Sequence, residues 1–351
     1  MIALALRQPR PRTGLALLLT GLALALVACG GDGDDDPGAG AASQQSRNAF
    51  PVTIEHKFGT MRVASPPKRV VTVGYNEQDF VLALGVKPVG LREWFGDQPK
   101  ATWSWARDEL GAADPEVLPT AELNFEQIAA LRPDLIVGVY SGMTKADYSK
   151  LSKIAPTLAQ TEEYADLAMP WQEQFMLTGR ALGREDRARQ IVGEIEDRFA
   201  KARREHPEFE QVVAPFAYYE ENGKFGAYAS TDPHIRFLSS LGFGKSAEID
   251  ELAGDQVFTV LSNERLRLLD RDVLVMLKAP ETAASRTELL KNPLYRRLDA
   301  VRERRDVYPD VETVAALSYS SPLSLPQAID AMVPQLAEAV ARDSKQDAPE
   351  G

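Results

Sequence analysis

Cysteine occurs once in 351 residues, at position 29. No disulfide can form within the chain, so its fold must rest on burial. Histidine is nearly as scarce: His56, His206 and His234 are far apart in sequence, too few and too scattered for the ligand sets that usually hold zinc. Neither a G-x-S-x-G elbow nor an H-E-x-x-H helix occurs. A cationic excess is missing too. The chain has 40 Lys and Arg against 51 Asp and Glu, a formal charge of −11. Such a surface keeps a protein soluble but offers little to nucleic acid, whose affinity depends on cations at phosphates. The apolar run Gly14–Ala28 is too short to cross a bilayer comfortably.

That run follows Arg7, Arg10 and Arg12 and ends in "LVAC", residues 26–29. A positive n-region, an apolar h-region and a small residue before a lone cysteine resemble a bacterial lipobox. The resemblance implies a signal peptide over 1–28, cleavage before Cys29 and lipidation of its thiol. Two or three acyl chains then anchor the chain stably at the extracytoplasmic face of the cell membrane. A plain secretory signal cleaved near Ala28, or an uncleaved anchor, is the alternative. With Cys29 acylated, thiol catalysis and cysteine–metal ligation are excluded. Losing three arginines and no acid takes the charge from −11 to −11 − 3 = −14. "GGDGDDDPGAGAASQQS" (30–46) has no large apolar residue, so 29–49 reads as a disordered tether.

From residue 50 the pattern is α/β. "KRVVTVG" (68–74), "KPVGL" (87–91) and "DLIVGVY" (134–140) read as strands; "NEQDFVLALGV" (76–86) and "KADYSKLSKIA" (145–155) read as helices. Alternation of this kind predicts a mainly parallel sheet covered on both faces. Residues 169–206 carry a partial helical stripe of Phe175, Leu177, Leu182, Ile191, Ile195 and Phe199, weakened by Gly179, Gly183 and Gly193 and, after Pro170, unbroken by proline until Pro207. They predict one long helix, bent near Gly183, and their spacing does not hold a coiled-coil heptad. Alternation then restarts with "QVVAPFAYY" (211–219), "DPHIRFLSSLGF" (232–243), "DVLVML" (272–277) and a closing helix over 324–342. The expected architecture is two α/β lobes, each a mainly parallel sheet flanked by helices, at 50–167 and 208–343. One long rigid helix (168–207) joins them, a ligand cleft lies between, and 344–351 form a disordered tail.

Two segments share one layout. "NFEQIAALRPDLIVG" (124–138) and "SNERLRLLDRDVLVM" (262–276) each place a glutamate just inside a helix start, Glu126 and Glu264. Each places an aspartate eight residues on, Asp134 and Asp272, before an apolar strand. The local explanation is electrostatic: Asn124 and Ser262 are N-cap residues, and an acid in the first turn suits the helix dipole.

These segments, with "FVLALGVKPVG" (80–90) and the lipobox, resemble the helical-backbone solute-binding lipoproteins of ABC importers, the ferric-siderophore and vitamin B12 group. "ATWSWARDELG" (101–111), after "REWFGDQ", looks like the iron–siderophore branch of high-GC Gram-positive bacteria. The resemblance implies a monomeric binding protein with no catalytic role and no cofactor, whose ligand is a ferric siderophore with its iron held by the chelator. It also implies that Glu126 and Glu264 dock on arginines of a membrane permease dimer, and that the rigid connector permits only small lobe movements.

Strand-end loops would line the cleft. They carry Tyr75, Arg92, Trp94, Trp103, Tyr140, Tyr228, Arg236 and Tyr319, aromatic faces for an organic scaffold and arginine forks for chelating oxygens. Packing or lobe–lobe contact accounts equally well for each. Trp103 and Trp105 would also serve to anchor a long loop, and Arg236 to expose a surface cation. Some members hold hydroxamate with an arginine just before the "NLE" segment, where this chain has Thr120 and Ala121; a direct transfer of that site is in doubt. Vitamin B12 or haem is the alternative ligand within the fold. A secreted cell-envelope hydrolase using Ser141, or a passive surface adhesin, is the alternative outside it.

Overall fold

The computed structural model describes residues 50–343 except 121, 220–222 and 278–285. Cys29, the signal segment, the tether and the C-terminal tail lie outside the described residues. An antiparallel hairpin, β1 (Val52–His56) and β2 (Gly59–Val63), opens the first lobe. It is followed by β3 (Val70–Thr72), α1 (Glu77–Ala83), β4 (Gly90–Arg92), β5 (Glu116–Leu118), α2 (Phe125–Ala130), β6 (Leu135–Gly138), α3 (Lys145–Leu151) and β7 (Thr157–Ala159). These five later strands form a sheet in the order β5-β4-β3-β6-β7 with all pairings parallel. The chain builds outward from β3 on one side, then crosses to β6 on the other. The carboxyl ends of β3 and β6 therefore flank the point where the connections diverge, which is where ligands of such sheets bind.

The second lobe has β8 (Phe216–Tyr219), β9 (Phe225–Tyr228), α6 (Pro233–Ser240), β10 (Phe258–Leu261), β11 (Leu274–Leu277), β12 (Asp306–Val307), α7 (Val311–Tyr319) and α8 (Ser324–Asp343); α4 (Trp171–Ala181) and α5 (Glu185–Glu205) belong to the connector. Its sheet order, β10-β9-β8-β11-β12, mirrors the first. The two-lobed α/β plan is as expected, but this sheet is mixed: β8–β11 and β11–β12 run parallel, β8–β9 and β9–β10 antiparallel. The strand expected over 211–219 is confined to 216–219 because Pro215 precedes it and cannot donate to the ladder.

The central strands are buried at every position, as a doubly covered sheet demands, and successive side chains face opposite clusters with a period of two. Val70, Leu135 and Val137 of the first lobe, with Phe216, Val275 and Leu277 of the second, belong to one apolar cluster that also takes in Phe175, Ile195 and Phe199 of the connector. Val71, Ile136 and Ile128 face a separate cluster, as do Ala217, Leu274 and Met276. One continuous core thus runs through both lobes and the segment between them, which resists wide hinge opening.

The connector corrects the sequence-based expectation. In place of one helix over 168–207 there are two, α4 (Trp171–Ala181) and α5 (Glu185–Glu205). Gly183 adopts a left-handed conformation with φ +66°. The Gly183 N–H donates to Arg180 and the Arg184 N–H to Gly179, the paired bonds of a Schellman stop. The chain then folds back on itself, so that Gln172 reaches Glu196 and the Cβ of Ala188 packs on Gly179. α5 alone makes the crossing: Arg184 bonds to the carbonyl of Leu84 in the first lobe, while Arg198 pairs with Asp330 in the second. A 21-residue helix spans about 31 Å.

A Cβ at Gly183 would stand 2.4 Å from the Phe50 ring, on a backbone that L side chains rarely adopt. Gly183→Ala should therefore cost about 1–3 kcal/mol, read as a lowered thermal midpoint. Gly193→Ala should stabilise slightly, since nothing lies within 4 Å of its added methyl and the helix continues through it.

The paired segments are topologically equivalent. β6 and β11 each hold the fourth place in their five-stranded sheet, beside the strand that begins it in chain order. Asp134 accepts the main-chain N–H groups of Lys68 and Arg69 at 2.8 Å, and Asp272 accepts that of Val213 at 2.7 Å. In both lobes this aspartate ties the entry of one central strand to that of its neighbour. The capping differs. Asn124 accepts the Gln127 N–H, whereas Ser262 makes no side-chain cap and Glu264 lies in a 3-10 helix, Asn263–Leu269. Glu126 and Glu264 are both exposed.

Candidate ligand-binding cleft

The chain leaving β3 runs through Val73 and Gly74 to Tyr75, whose N–H donates to the carbonyl of Tyr140 beyond β6. Gly74 is needed for close approach: a Cβ there would sit 2.1 Å from the Glu77 carboxylate. Glu77 in turn accepts the Tyr140 N–H at 2.6 Å. One buried acid thus ties the two strand exits together at the switch point, where the rings of Tyr75 and Tyr140 lie 6.4 Å apart.

Trp94 joins them. Its ring lies 5.4 Å from Tyr75, 6.2 Å from Tyr140, 4.9 Å from Phe95 and 5.2 Å from Tyr319 of the second lobe. Trp103 precedes and Trp105 lies within a 3-10 turn (Ser104–Ala106) that stacks their rings 5.3 Å apart and 3° from parallel; Trp103 packs on Phe95 and Trp105 on Tyr319. Edge-to-face and offset contacts of this kind add to simple burial. Five of the eight expected site residues, Tyr75, Trp94, Trp103, Tyr140 and Tyr319, therefore fall in one aromatic cluster across the waist. Trp103 and Tyr319 are its buried backing, 5% and 1% exposed; Tyr75, Trp94 and Phe95 are its partly open face. Tyr228 stands on the second-lobe side with its ring 5.3 Å from Tyr218 and 4.8 Å from His234. Burial and the nearby charge of Asp232 push both the Tyr228 and Tyr140 phenols up, so both remain neutral donors.

Two arginines are placed otherwise than expected. Arg92 lies under the cluster, its guanidinium 4.7 Å from the Tyr75 ring centroid. Its donors go to the carbonyls of Thr120 and Val73, so it supports the wall and offers no fork to a ligand. Arg236 is outside the cluster: from α6 it donates to the carbonyls of Thr231 and Ala168, beside the connector. It lines a cavity of about 470 Å³ together with Trp171, Glu196, Phe199 and Lys245. None of the clustered aromatics borders that cavity, although Asn76 and Ser320, the neighbours of Tyr75 and Tyr319 in sequence, do; the aromatic cluster is the better seat for a flat or cyclic organic ligand.

Sequence reasoning missed the polar base of the cleft. Asn76, Glu77, Gln78 and Asp79 are consecutive and at most 2% exposed. Asn76 Nδ2 donates to the Tyr319 carbonyl at 2.9 Å and Gln78 Nε2 contacts the Tyr319 hydroxyl at 3.2 Å. Asp79 accepts from Ser321 Oγ at 2.5 Å and Trp105 Nε1 at 2.7 Å. These bonds fasten the first lobe to the second directly beneath the aromatic wall. Burial raises the carboxyls of Glu77 and Asp79 to about 7, against ordinary values of 4.5 and 3.8; main-chain donors oppose the shift at Glu77, and Ser321 and Trp105 oppose it at Asp79. The folded chain therefore keeps two protons that the unfolded chain sheds near pH 4. Their stabilising contribution is complete below pH 4 and declines as pH rises to about 7, by an order of 3–4 kcal/mol per group at most. The thermal midpoint should fall from pH 5 to pH 8 more steeply in the native chain than in Glu77→Gln/Asp79→Asn. Equal slopes would contradict the assignment.

His234 Nδ1 lies 2.7 Å from Asp232 Oδ1, and its Nε2 lies 3.2 Å from Ser318 Oγ. The order is that of an acid–base–nucleophile relay. Ser318, however, donates its proton to the Val314 carbonyl at 2.9 Å, in the last turn of α7, where the helix dipole disfavours an oxyanion. The contact joins α6 to α7. Ser141, the other candidate nucleophile, donates to the Gly138 carbonyl at 2.7 Å within its own turn. Among the described residues no group of three or more His, Cys, Asp and Glu side chains is placed to hold a metal ion, and no helix is long and apolar enough to cross a membrane.

Residues 70–310 match the family described as periplasmic binding protein. A periplasmic solute-binding protein of Mycobacterium smegmatis is similar at a TM-score of 0.74 and 33% identity, covering 82% of this chain and 98% of that one. PiaA of Streptococcus pneumoniae, solved in complex with ferrichrome, gives a TM-score of 0.72 at 26% identity over 83% of this chain and 99% of its own. The probable siderophore-binding lipoprotein YfiY of Bacillus subtilis is 28% identical over 63% of this chain and 67% of its own length.

Proposed function

The chain belongs to the periplasmic binding protein family, and on that footing we propose that it captures a ferric siderophore outside the cytoplasm and delivers it to the permease of an ABC importer. The observation that carries this reading is the aromatic wall at the strand switch point, closed from the second lobe by Tyr319. A siderophore brings its iron already coordinated, so the protein has to supply faces and hydrogen bonds, not metal ligands. Tyr75, Trp94 and Phe95 supply the faces, and the Tyr140 and Tyr228 phenols supply neutral donors. Ferrichrome in one similar structure and the siderophore-binding name of a lipoprotein relative support the ligand class. Members of this family bind and hand over; no catalytic step is assigned.

Delivery falls to the surface. Glu126 and Glu264 are exposed and occupy equivalent elements of the two lobes, a spacing that suits a two-fold symmetric permease. The continuous core keeps that spacing fixed. The chain acts as a monomer, and a lipid on Cys29 tethers it to the membrane by the segment ahead of residue 50.

Tryptophan fluorescence of the full chain, titrated with ferric siderophores, haem and cobalamin, tests the ligand. Saturable quenching by a ferric siderophore is expected; quenching by haem or cobalamin alone would overturn the assignment.

A further inference from the structure

The charges around the cleft bear on the charge of the chelate itself. Three arginines lie on segments that build or border it, and each is spent within the protein. Arg92, 6% exposed, gives its donors to the Thr120 and Val73 carbonyls. Arg107 donates to the Thr102 carbonyl and to Gln98 Oε1. Arg236 is turned toward Thr231 and Ala168. The Arg92 charge stays behind the Tyr75 ring, whereas the charges that act on the Tyr140 and Tyr319 phenols are acids. Glu77 and Asp232 act on the Tyr140 phenol, and Asp79 and Glu93 on that of Tyr319. Glu93 is the most open of these, half-buried between Arg92 and Trp94 on the loop that carries the wall.

Resting on the reading of this cleft as a ferric-siderophore site, we propose that it selects uncharged or cationic ferric chelates, the trihydroxamate class, and rejects anionic tricatecholate and citrate-type chelates. Three hydroxamates carry three negative charges and neutralise ferric iron, so the complex is neutral, or cationic when its backbone keeps an amine. Three catecholates carry six charges and leave the complex at −3. Among the described residues, an anion entering this cleft would lose water with no arginine fork turned toward it and would meet the Glu93 carboxylate. A neutral chelate loses little on desolvation and gains the faces of Tyr75, Trp94 and Phe95. A protonated amine at its edge gains cation–π contact and the Glu93 charge.

Isothermal titration of the full chain at pH 7.5 and two salt concentrations decides this. The ligands are a neutral cyclic ferric trihydroxamate, a cationic linear one, a ferric tricatecholate and ferric citrate. Both hydroxamates should bind at least 100-fold more tightly than either anionic complex. In Glu93→Lys, the affinity ratio of cationic to neutral hydroxamate should fall about tenfold, with the neutral ligand reporting that the variant is folded. Anionic chelates binding as well as the hydroxamates, or a ratio unmoved by Glu93→Lys, would overturn the charge selection while leaving siderophore capture intact. Binding of no ferric chelate at all would instead overturn the underlying reading.

Discussion

Reversing both exposed acids, in Glu126→Arg/Glu264→Arg, should reduce siderophore-dependent iron uptake to background while leaving chelate affinity unchanged. Neither residue belongs to the aromatic wall, and both are exposed. Each stands on an element that leads into the fourth strand of its sheet, and the lobes behind them share one core. Two charges held at fixed separation register a body against a symmetric partner; replacing both attractions by like-charge contacts costs several kcal/mol, enough to lower docking more than 100-fold. Each single reversal should give an intermediate loss, because one lobe still engages. The measurement is uptake of radiolabelled ferric siderophore by cells carrying the variant, alongside titration of the purified protein. Normal uptake by the double variant would remove the docking role and leave the two glutamates as first-turn acids.

The second large effect is expected at Trp94. Its ring touches Tyr75, Phe95, Tyr140 and Tyr319, and so joins the first-lobe wall to the second lobe. Trp94→Ala removes the broadest open face and lets its neighbours relax. Truncation of a central tryptophan of this kind costs about 2 kcal/mol or more, roughly a 30-fold loss of affinity. Trp103→Phe, in the buried backing, should cost less affinity and more stability. A Trp94→Ala variant that is stably folded and binds normally would place the ligand elsewhere.

Much of this arrangement can be read from residues alone, and the parts that cannot share a cause. The repeat of Glu126 and Asp134 in Glu264 and Asp272 is visible because Asp134 and Asp272 do the same local work, each accepting main-chain N–H groups where a strand begins. The aromatic loop is visible because its rings are concentrated between residues 94 and 105. The break at Gly183 is legible only as a bend: Gly179 and Gly193 look alike in sequence and stay helical, while Gly183 stops the helix outright. What separates them is tertiary, the Phe50 ring beside Gly183 and the close packing of Ala188 on Gly179. The buried run from Asn76 to Asp79 is equally hidden. Four polar residues at a helix start suggest a solvated end, and the groups that satisfy three of them, in Tyr319 and Ser321, lie more than 240 positions away. For the same reason the sequence marks Arg92 and Arg236 as ligand forks although nearby carbonyls take their donors. Spacing reveals which residues share a strand end; it does not reveal which of them are already satisfied.

The most direct test of the central claim is the position of iron in crystals of the chain grown with a ferric trihydroxamate, located by anomalous scattering at the iron edge. The account predicts a single strong peak between the lobes, against the open face formed by Tyr75, Trp94 and Phe95 and opposite Tyr228. A peak in the cavity lined by Trp171, Phe199 and Arg236 beside the connector would contradict it.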